Sequence, residues 1–191
     1  MMTILEAIKT RRTIRKFDQT PLSKEQLAKY IDASRLAPSA ANLQPLRYVA
    51  VQSREMAEKM FELVKWAGYL APDYDPKEGE RPVAYIAVCS DKSNRSNWTS
   101  LDLGAAVENM ILAALSDGVG ACWIGSVNYP EATKLLALSE DIKLECVVAL
   151  GYPKEEPKEV AISEDIKYYV DESGTLCVPK YSMDDVLLKT V

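Results

Sequence analysis

The chain has 191 residues, of which 48% are hydrophobic and 27% are charged, and its formal net charge is −5. This composition is ordinary for a globular protein and argues against a disordered or membrane-embedded chain. The acidic balance disfavours non-specific nucleic-acid binding, which requires clustered cations. The length predicts one domain, residues 1–191, in which residues 160–191 form a C-terminal hairpin-plus-helix extension.

The chain has no histidine, which excludes Ser-His-Asp catalysis, Cys-His catalysis and histidine-ligated metal sites. Its four cysteines are far apart in sequence and each lies in an apolar stretch, so we expect reduced core residues and no metal centre. The start of the chain is charged and amphipathic rather than a signal peptide, and no apolar run is long enough to span a membrane. We therefore expect a cytoplasmic protein.

The first half of the chain contains three predicted helices and two predicted strands. Ser23 and Gln26 form a capping-box pattern at the start of the second helix, and Pro38 ends that helix. The predicted helices cover residues 3–11, 23–36 and 55–66, and the predicted strands cover residues 48–52 and 83–89. Between them, residues 68–82 are rich in Pro, Gly, Asp and Tyr, and we expect this segment to be irregular and a candidate lid.

The second half continues with a helix at residues 99–115 in which nearly every side chain is apolar or small. A helix that is apolar all round must be buried on all sides, which a subunit interface would achieve. Its polar exceptions, Asp102, Glu108 and Asn109, are expected to cap the helix, bridge subunits or border a cavity. Further strands are predicted at residues 121–124, 145–151, 166–170 and 175–178, and helices at 130–138 and 182–188. This order predicts an α+β fold in three layers.

The basic arm, residues 11–17, is the first candidate site. It contains Arg11, Arg12, Thr13 and Arg15 beside the end of the first helix. Guanidinium groups and a hydroxyl are good partners for a phosphate monoester, which carries about −1.5 to −2 charges and three acceptor oxygens. The alternative is an ordinary solvated helix end.

The Pro38–Pro45 loop, residues 38–45, is the second candidate site. Its small residues would let the backbone approach a flat ring, and Asn42 and Gln44 offer both donors and acceptors for a heterocycle edge. The alternative is a polar turn between a helix and a strand. The third candidate, residues 120–126, ends a strand at Gly125, whose backbone N–H could reach a bound ring; Trp123 there is either a core residue or a stacking partner.

Together these motifs resemble the signatures of the nitroreductase family. The similarity rests on four motifs that follow one another in the family's order. They are Arg-Arg-Thr-Ile-Arg-Lys-Phe, Pro-Ser-Ala-Ala-Asn-Leu-Gln-Pro, the 102–109 and 118–125 stretches taken together, and Gly-Tyr-Pro at 151–153. The resemblance implies a central, mainly antiparallel sheet flanked by helices and an intertwined homodimer. It also implies that FMN binds at the subunit interface, in sites built from both chains.

The resemblance assigns roles to individual positions. Arg11, Arg12 and Thr13 would hold the phosphate and ribityl chain, and Arg15 would lie by the pyrimidine edge as electrostatic support. From the partner chain, Pro38, Ser39, Ala40, Asn42 and Gln44 would cover the ring. Trp123, Ile124, Gly125 and Ser126 would lie near flavin N5, with Gly125 supporting the reaction through its main chain. The late phosphate-binding arginine of many relatives is missing, and Lys180 is the nearest candidate to replace it. The next residue, Tyr181, stands where a second basic residue is expected.

The resemblance further implies that the flavin carries the chemistry and that no side chain is a catalytic group in its own right. NADH or NADPH would reduce the flavin, and a nitroaromatic, quinone or similar electron-poor acceptor would then take the electrons in a ping-pong cycle. Dehalogenation, azoline oxidation, flavin fragmentation and a non-catalytic FMN-binding sensor or store stay open as alternatives. A protein-interaction module without flavin is a further alternative.

Overall fold

The computed structural model describes residues 2–191 and has a four-stranded antiparallel sheet at its centre, in the order β1-β2-β4-β3. The helices are α1 (Ile4–Thr10), α2 (Lys24–Arg35), α3 (Arg54–Phe61), α4 (Thr99–Ser116), α5 (Tyr129–Leu135) and α6 (Met183–Val186). The strands of this sheet are β1 (Leu46–Val51), β2 (Ala84–Asp91), β3 (Gly120–Ile124) and β4 (Ile142–Gly151). A second sheet contains β5 (Lys158–Ala161), β6 (Tyr169–Val170) and β7 (Leu176–Lys180).

The two central strands, β2 and β4, are buried along nearly their whole length and divide the core into two halves. Tyr85 and Ala87 of β2 face the half that contains α3 and α5, whereas Ile86 and Val88 face the half that contains α2 and α4. Helices therefore cover both faces of the sheet, which confirms the predicted α+β class and its three layers. The apolar runs in the sequence reflect this burial on both faces.

Local capping interactions determine where the first two helices begin. Ser23 accepts from the backbone of Gln26 while the Gln26 side chain accepts from the backbone of Ser23, so the predicted capping box is formed. Thr3 and Glu6 form the same reciprocal pair at α1. No helix among residues 2–191 is both long and apolar enough to cross a bilayer.

Several predicted boundaries are wrong where tertiary contacts compete with local propensity. The helix predicted to reach Trp66 ends at Phe61, because Val64 pairs with Val127 and the Lys65 N–H donates to the Ser126 carbonyl at 3.0 Å. Residues 130–138 and 182–188 were also predicted as longer helices than α5 and α6, and the strand predicted at 166–170 shortens to β6.

The second sheet contains one strand that the sequence did not predict. β6 and β7 pair antiparallel as the hairpin prediction requires, but β5 adds parallel to the other edge of β7. Residues 68–82 contain only turns, as expected, and their Tyr74 is buried with Ala67 and Leu176 of β7. The role of that segment as a lid stays a prediction.

Candidate functional site

The basic arm runs alongside the edge strand β3. The Ile14 N–H donates to the Ala121 carbonyl at 3.0 Å, and Thr13 and Ala121 form a parallel bridge. On the arm's other side, the Lys154 N–H donates to the Lys16 carbonyl at 2.9 Å. The arm therefore lies between the start of β3 and the segment that follows β4, which brings three of the four motifs together.

Two motif glycines make this close approach possible. Gly120 and Gly151 face each other across β3 and β4. A Cβ at Gly120 would lie 2.7 Å from a carbon of Ile14, and a Cβ at Gly151 would lie 2.9 Å from a carbon of Phe17. Since Ile14 and Phe17 are buried, neither side chain has room to move away. These glycines thus serve packing of the arm rather than a turn.

The three arginines of the arm have different partners. Arg11 forms an ion pair with Glu108 of α4, with Nε 3.2 Å from the carboxylate. Arg12 donates to the carboxylate of Glu159 on β5 and to the Arg11 carbonyl. The Arg15 guanidinium lies over the ring of Tyr168, 4.8 Å from its centroid, in a cation–π contact.

A single carboxylate fixes the backbone of the arm. Glu155 accepts hydrogen bonds from the backbone N–H groups of Arg15 and Lys16 and from the hydroxyl of Tyr74. Burial, followed by this bond to the carboxylate, raises the pKa of Tyr74, so the phenol stays protonated as the donor. Glu155 therefore ties the irregular 68–82 segment to the basic arm.

A cavity of about 380 Å³ opens beneath the Pro38–Pro45 loop, and a smaller one of about 280 Å³ opens beside the basic arm. The smaller cavity is bordered by Arg11 and Arg12 on one side and by Glu155 and Glu156 on the other. Cations and carboxylates thus meet at the place where a phosphate is predicted to bind.

The Pro38–Pro45 loop has an unusual backbone. Five non-glycine residues in the described chain have a left-handed φ, and three of them lie in this loop: Ala41 at 50°, Asn42 at 54° and Gln44 at 47°. Such conformations cost energy and are concentrated at binding and active sites. The Ser39 hydroxyl accepts from the Gln44 N–H at 3.1 Å and closes the loop.

Asp102 of α4 anchors this loop. Its Oδ1 accepts from the backbone N–H of Ala40 at 2.9 Å, while its Oδ2 is buried without a hydrogen-bond partner in the described chain. The side chain also borders the 380 Å³ cavity, together with Pro38, Ser39 and Gln44. Asp102, one of the three polar exceptions on α4, therefore holds in place the loop that is predicted to cover the ring.

The end of β3 is open. Trp123 was interpreted as either a core residue or a stacking partner, and its side chain is 42% exposed in the single chain. The structure therefore excludes a fully buried core residue within this chain. Ile124 is buried, and Gly125 and Ser126 are exposed directly after it. A Cβ added at Gly125, or at Gly104 of α4, would have no atom within 4 Å. Within the strand, Cys122 is buried, which raises the pKa of its thiol to about 12 and keeps it protonated.

The structure thus places the predicted residues in three groups. Arg11, Arg12, Thr13 and Arg15 lie on the arm beside the start of β3, and Trp123, Ile124, Gly125 and Ser126 lie at the other end of that strand. Pro38, Ser39, Ala40, Asn42 and Gln44 lie at the first turn of α4, and Asp102, which holds them, is about 9 Å along the helix from Glu108, which holds Arg11. Lys180 ends β7 opposite Ala161, within the second sheet.

The match to a protein-family model decides the relationship of the chain. Residues 8–152 match the model of the nitroreductase family. This chain belongs to the nitroreductase family. The family prediction is therefore confirmed, together with the fold class. All four motifs that carried the resemblance lie within or at the edge of the matched residues.

Individual relatives agree with this assignment. A protein of Archaeoglobus fulgidus, provisionally named NADH dehydrogenase/NAD(P)H nitroreductase, is 38% identical over 164 residues, covering 82% of this chain and 88% of its own. A crystal structure from Parabacteroides distasonis with the same provisional name is 32% identical, with a TM-score of 0.68 and coverage of 85% and 92%. An FMN-dependent nitroreductase of Clostridium difficile is 25% identical, with a TM-score of 0.68 and coverage of 84% and 92%.

Two residues of this nitroreductase-family site were missed from the sequence. Glu155 and Glu159 were not among the predicted residues, yet they contact the backbone and a guanidinium of the basic arm. The signal that could have found them is the run of acids placed directly after the Gly-Tyr-Pro motif, opposite a run of cations.

Proposed function

We propose that this chain is an FMN-dependent oxidoreductase that uses NADH or NADPH to reduce a nitroaromatic, quinone or similar electron-poor acceptor in a ping-pong cycle. The observation that carries the proposal is the contact of the basic arm with β3. It brings the arginines proposed to bind the phosphate beside the strand that leads to Gly125, where the backbone has open space around it. The names of the relatives, an NAD(P)H nitroreductase and an FMN-dependent nitroreductase, support the same donor and cofactor.

The residues present fit FMN. Gly125 and Gly104 leave open space that a Cβ would fill, and the arm offers three guanidinium groups. In the proposed complex Arg11, Arg12 and Thr13 bind the phosphate and ribityl chain, and the Gly125 backbone faces the ring. When bound, the flavin accepts a hydride from the nicotinamide and passes electrons to the acceptor.

In the proposed site Arg15 is the cation that offsets negative charge on the pyrimidine edge. Its backbone is fixed by Glu155 and its guanidinium is held over Tyr168, so the charge is preorganised rather than free in solvent. The thiol of Cys122, close behind the arm, is protonated and contributes no competing negative charge.

We propose that the functional unit is a homodimer in which the partner's Pro38–Pro45 loop covers the ring. Two helices of the single chain leave large apolar side chains in solvent: Ile4 is 78% exposed and Leu5 is 61% exposed on α1, and Leu101 is 62% exposed on α4. The two helices contact each other, and exposed apolar side chains on neighbouring elements are typical of an interaction surface. The one-sided burial of α4 supports the interface that its sequence predicts.

We extend the proposal to the domain and the compartment. The contacts of Arg12 with Glu159 and of Arg15 with Tyr168 tie the second sheet to the arm, which supports one nitroreductase-like domain over residues 1–191. All four cysteines are buried free thiols, which supports a reducing compartment such as the cytoplasm.

The test is a visible spectrum of the purified protein, before and after addition of NADH or NADPH without oxygen. We expect a flavin spectrum that bleaches with a nicotinamide and recovers with a quinone or nitroaromatic. A yellow protein that no nicotinamide bleaches would favour the sensor or store. A colourless protein that FMN does not stabilise against heat would contradict flavin binding altogether. Light scattering of the same sample tests the dimer.

A further inference from the structure

The segment that follows Gly-Tyr-Pro carries acids where an arginine is expected. Residues 154–159 read Lys-Glu-Glu-Pro-Lys-Glu. Two of these acids contact the basic arm directly: Glu155 binds its backbone, and Glu159 binds the guanidinium of Arg12. The cationic arm therefore has carboxylate partners within the chain itself.

Arg12 is more enclosed than Arg11, whose side chain is 28% exposed. The Arg12 side chain is 11% exposed, one terminal nitrogen donates to the Arg11 carbonyl, and the other donates to Glu159. Its Nε is buried without a partner in the described chain. A guanidinium has five N–H donors, so Arg12 keeps unused donor capacity beside the 280 Å³ cavity that it helps to line.

Glu159 is, by contrast, an exchangeable partner. Its side chain is 54% exposed on β5, and pairs with one exposed member contribute little to stability. The other phosphate-binding candidate, Arg11, has a similar partner in Glu108, which is 44% exposed. A phosphate with three acceptor oxygens and up to two charges competes well for such guanidinium groups.

We propose that Glu159 is an internal counter-ion that the FMN phosphate must displace from Arg12 when the cofactor binds. The proposal rests on FMN being the ligand, as proposed above. It makes Glu159 the residue that sets how much the phosphate adds to flavin affinity.

The experiment compares FMN with riboflavin, which lacks the phosphate, in wild type and in Glu159→Gln. Affinities are measured by quenching of flavin fluorescence in the apoprotein. We expect Glu159→Gln to bind FMN about two- to fivefold more tightly, the size expected for one partly exposed ion pair, and to leave riboflavin affinity unchanged. Glu159→Asp keeps the charge and should behave as wild type.

Glu172→Gln is the matched control, because Glu172 is exposed in the turn between β6 and β7 and the substitution removes the same formal charge. It should change neither affinity. A second measurement, thermal stabilisation of the apoprotein by inorganic phosphate, should be larger in Glu159→Gln than in wild type.

The outcomes separate the two proposals. If Glu159→Gln weakens FMN binding selectively, Glu159 positions Arg12 for the phosphate and the counter-ion role is wrong. If FMN and riboflavin change equally, or neither changes, the phosphate does not exchange with Glu159 and the proposal is also wrong. If wild type binds neither flavin, the proposed function itself fails.

Discussion

Two pairs of motif glycines have opposite surroundings. Gly120 and Gly151, the packed pair, lie under Ile14 and Phe17 of the basic arm, where a Cβ would come within 3 Å of buried carbons. Gly104 and Gly125, the open pair, have nothing within 4 Å of the same added atom. All four belong to sequence motifs, so a motif glycine by itself does not distinguish a packing role from a binding role.

The difference separates the scaffold of the site from its open surface. Because Gly120 and Gly151 have no side chain, the arm packs closely against β3 and β4. This contact fixes the backbone positions of the arm's arginines. Nothing within the single chain requires Gly104 or Gly125 to lack a side chain, so at Gly125 the flavin proposed above would supply the reason. Stability and flavin affinity should therefore respond differently to the two pairs.

The largest effect is expected at the packed pair. Gly120→Ala should lower the free energy of unfolding by about 1–3 kcal/mol, because the new methyl overlaps Ile14 in a filled core. Urea denaturation of the apoprotein measures this change. In an Ile14→Ala background the same substitution should cost less, since two of the three Ile14 carbons that crowd the new methyl, the γ-carbons, are removed. Equal costs in the two backgrounds would show that the Ile14 γ-carbons are not the obstacle.

That prediction concerns a contact that sequence patterns could not supply. The helix starts at Ser23 and Thr3 were readable because each cap is settled within four residues. The strand β5 was missed because it pairs in parallel with β7, about 20 residues later, and its own sequence, Lys-Glu-Val-Ala, is weak as a strand. Interactions across long sequence separation decide such elements.

The candidate site was predicted unevenly for the same reason. The basic arm and the 120–126 strand were chosen separately, and their parallel contact through Ala121 emerged only from the fold. Asp102 was expected to cap the helix, bridge subunits or border a cavity, but its partner, the Ala40 N–H, lies 62 residues away and could not be named. The residue types in the motifs predicted which groups could bind a flavin. The counter-ion of Arg12 and the anchor of the Pro38–Pro45 loop could be identified only from the tertiary structure.

The next effect is expected at the anchor of the Pro38–Pro45 loop, which borders the open region. Asp102→Ala should cost about 1–2 kcal/mol, because the Ala40 N–H loses its acceptor and the left-handed residues lose support. Asp102→Asn retains an acceptor and should cost much less. Thermal unfolding of both variants is the measurement, and equal losses would mean that the charge, not the hydrogen bond, is what matters.

A smaller effect, confined to flavin binding, is expected at the open pair. Gly125→Ala should leave the unfolding of the apoprotein within about 0.5 kcal/mol of wild type, as for other unhindered surface changes. It should weaken FMN binding by about five- to tenfold, because the methyl occupies the space proposed for the ring. Fluorescence titration with FMN checks this. A variant that binds FMN as wild type does would remove Gly125 from the proposed flavin edge.

The smallest effect is a pH dependence of the second sheet. Lys158 of β5, together with bonds from Ser173 and Thr175, holds the pKa of Asp171 well below its usual value. A carboxyl with a lowered folded pKa stabilises the fold above its unfolded pKa, near 3.8, and loses that contribution as pH falls toward the folded value.

The packed glycine pair has only apolar neighbours in Ile14 and Phe17 and should not respond to the same change. Amide hydrogen exchange between pH 5 and pH 3 should therefore show β5 and β7 losing protection before β3 and β4 do. Asp171→Asn should show the lower protection of β5 and β7 already at pH 5 and little further change in acid. Simultaneous loss of protection in both sheets would mean that the two sheets unfold together. In that case β5, which carries Glu159, would be as stable in acid as the strands that the packed glycines belong to.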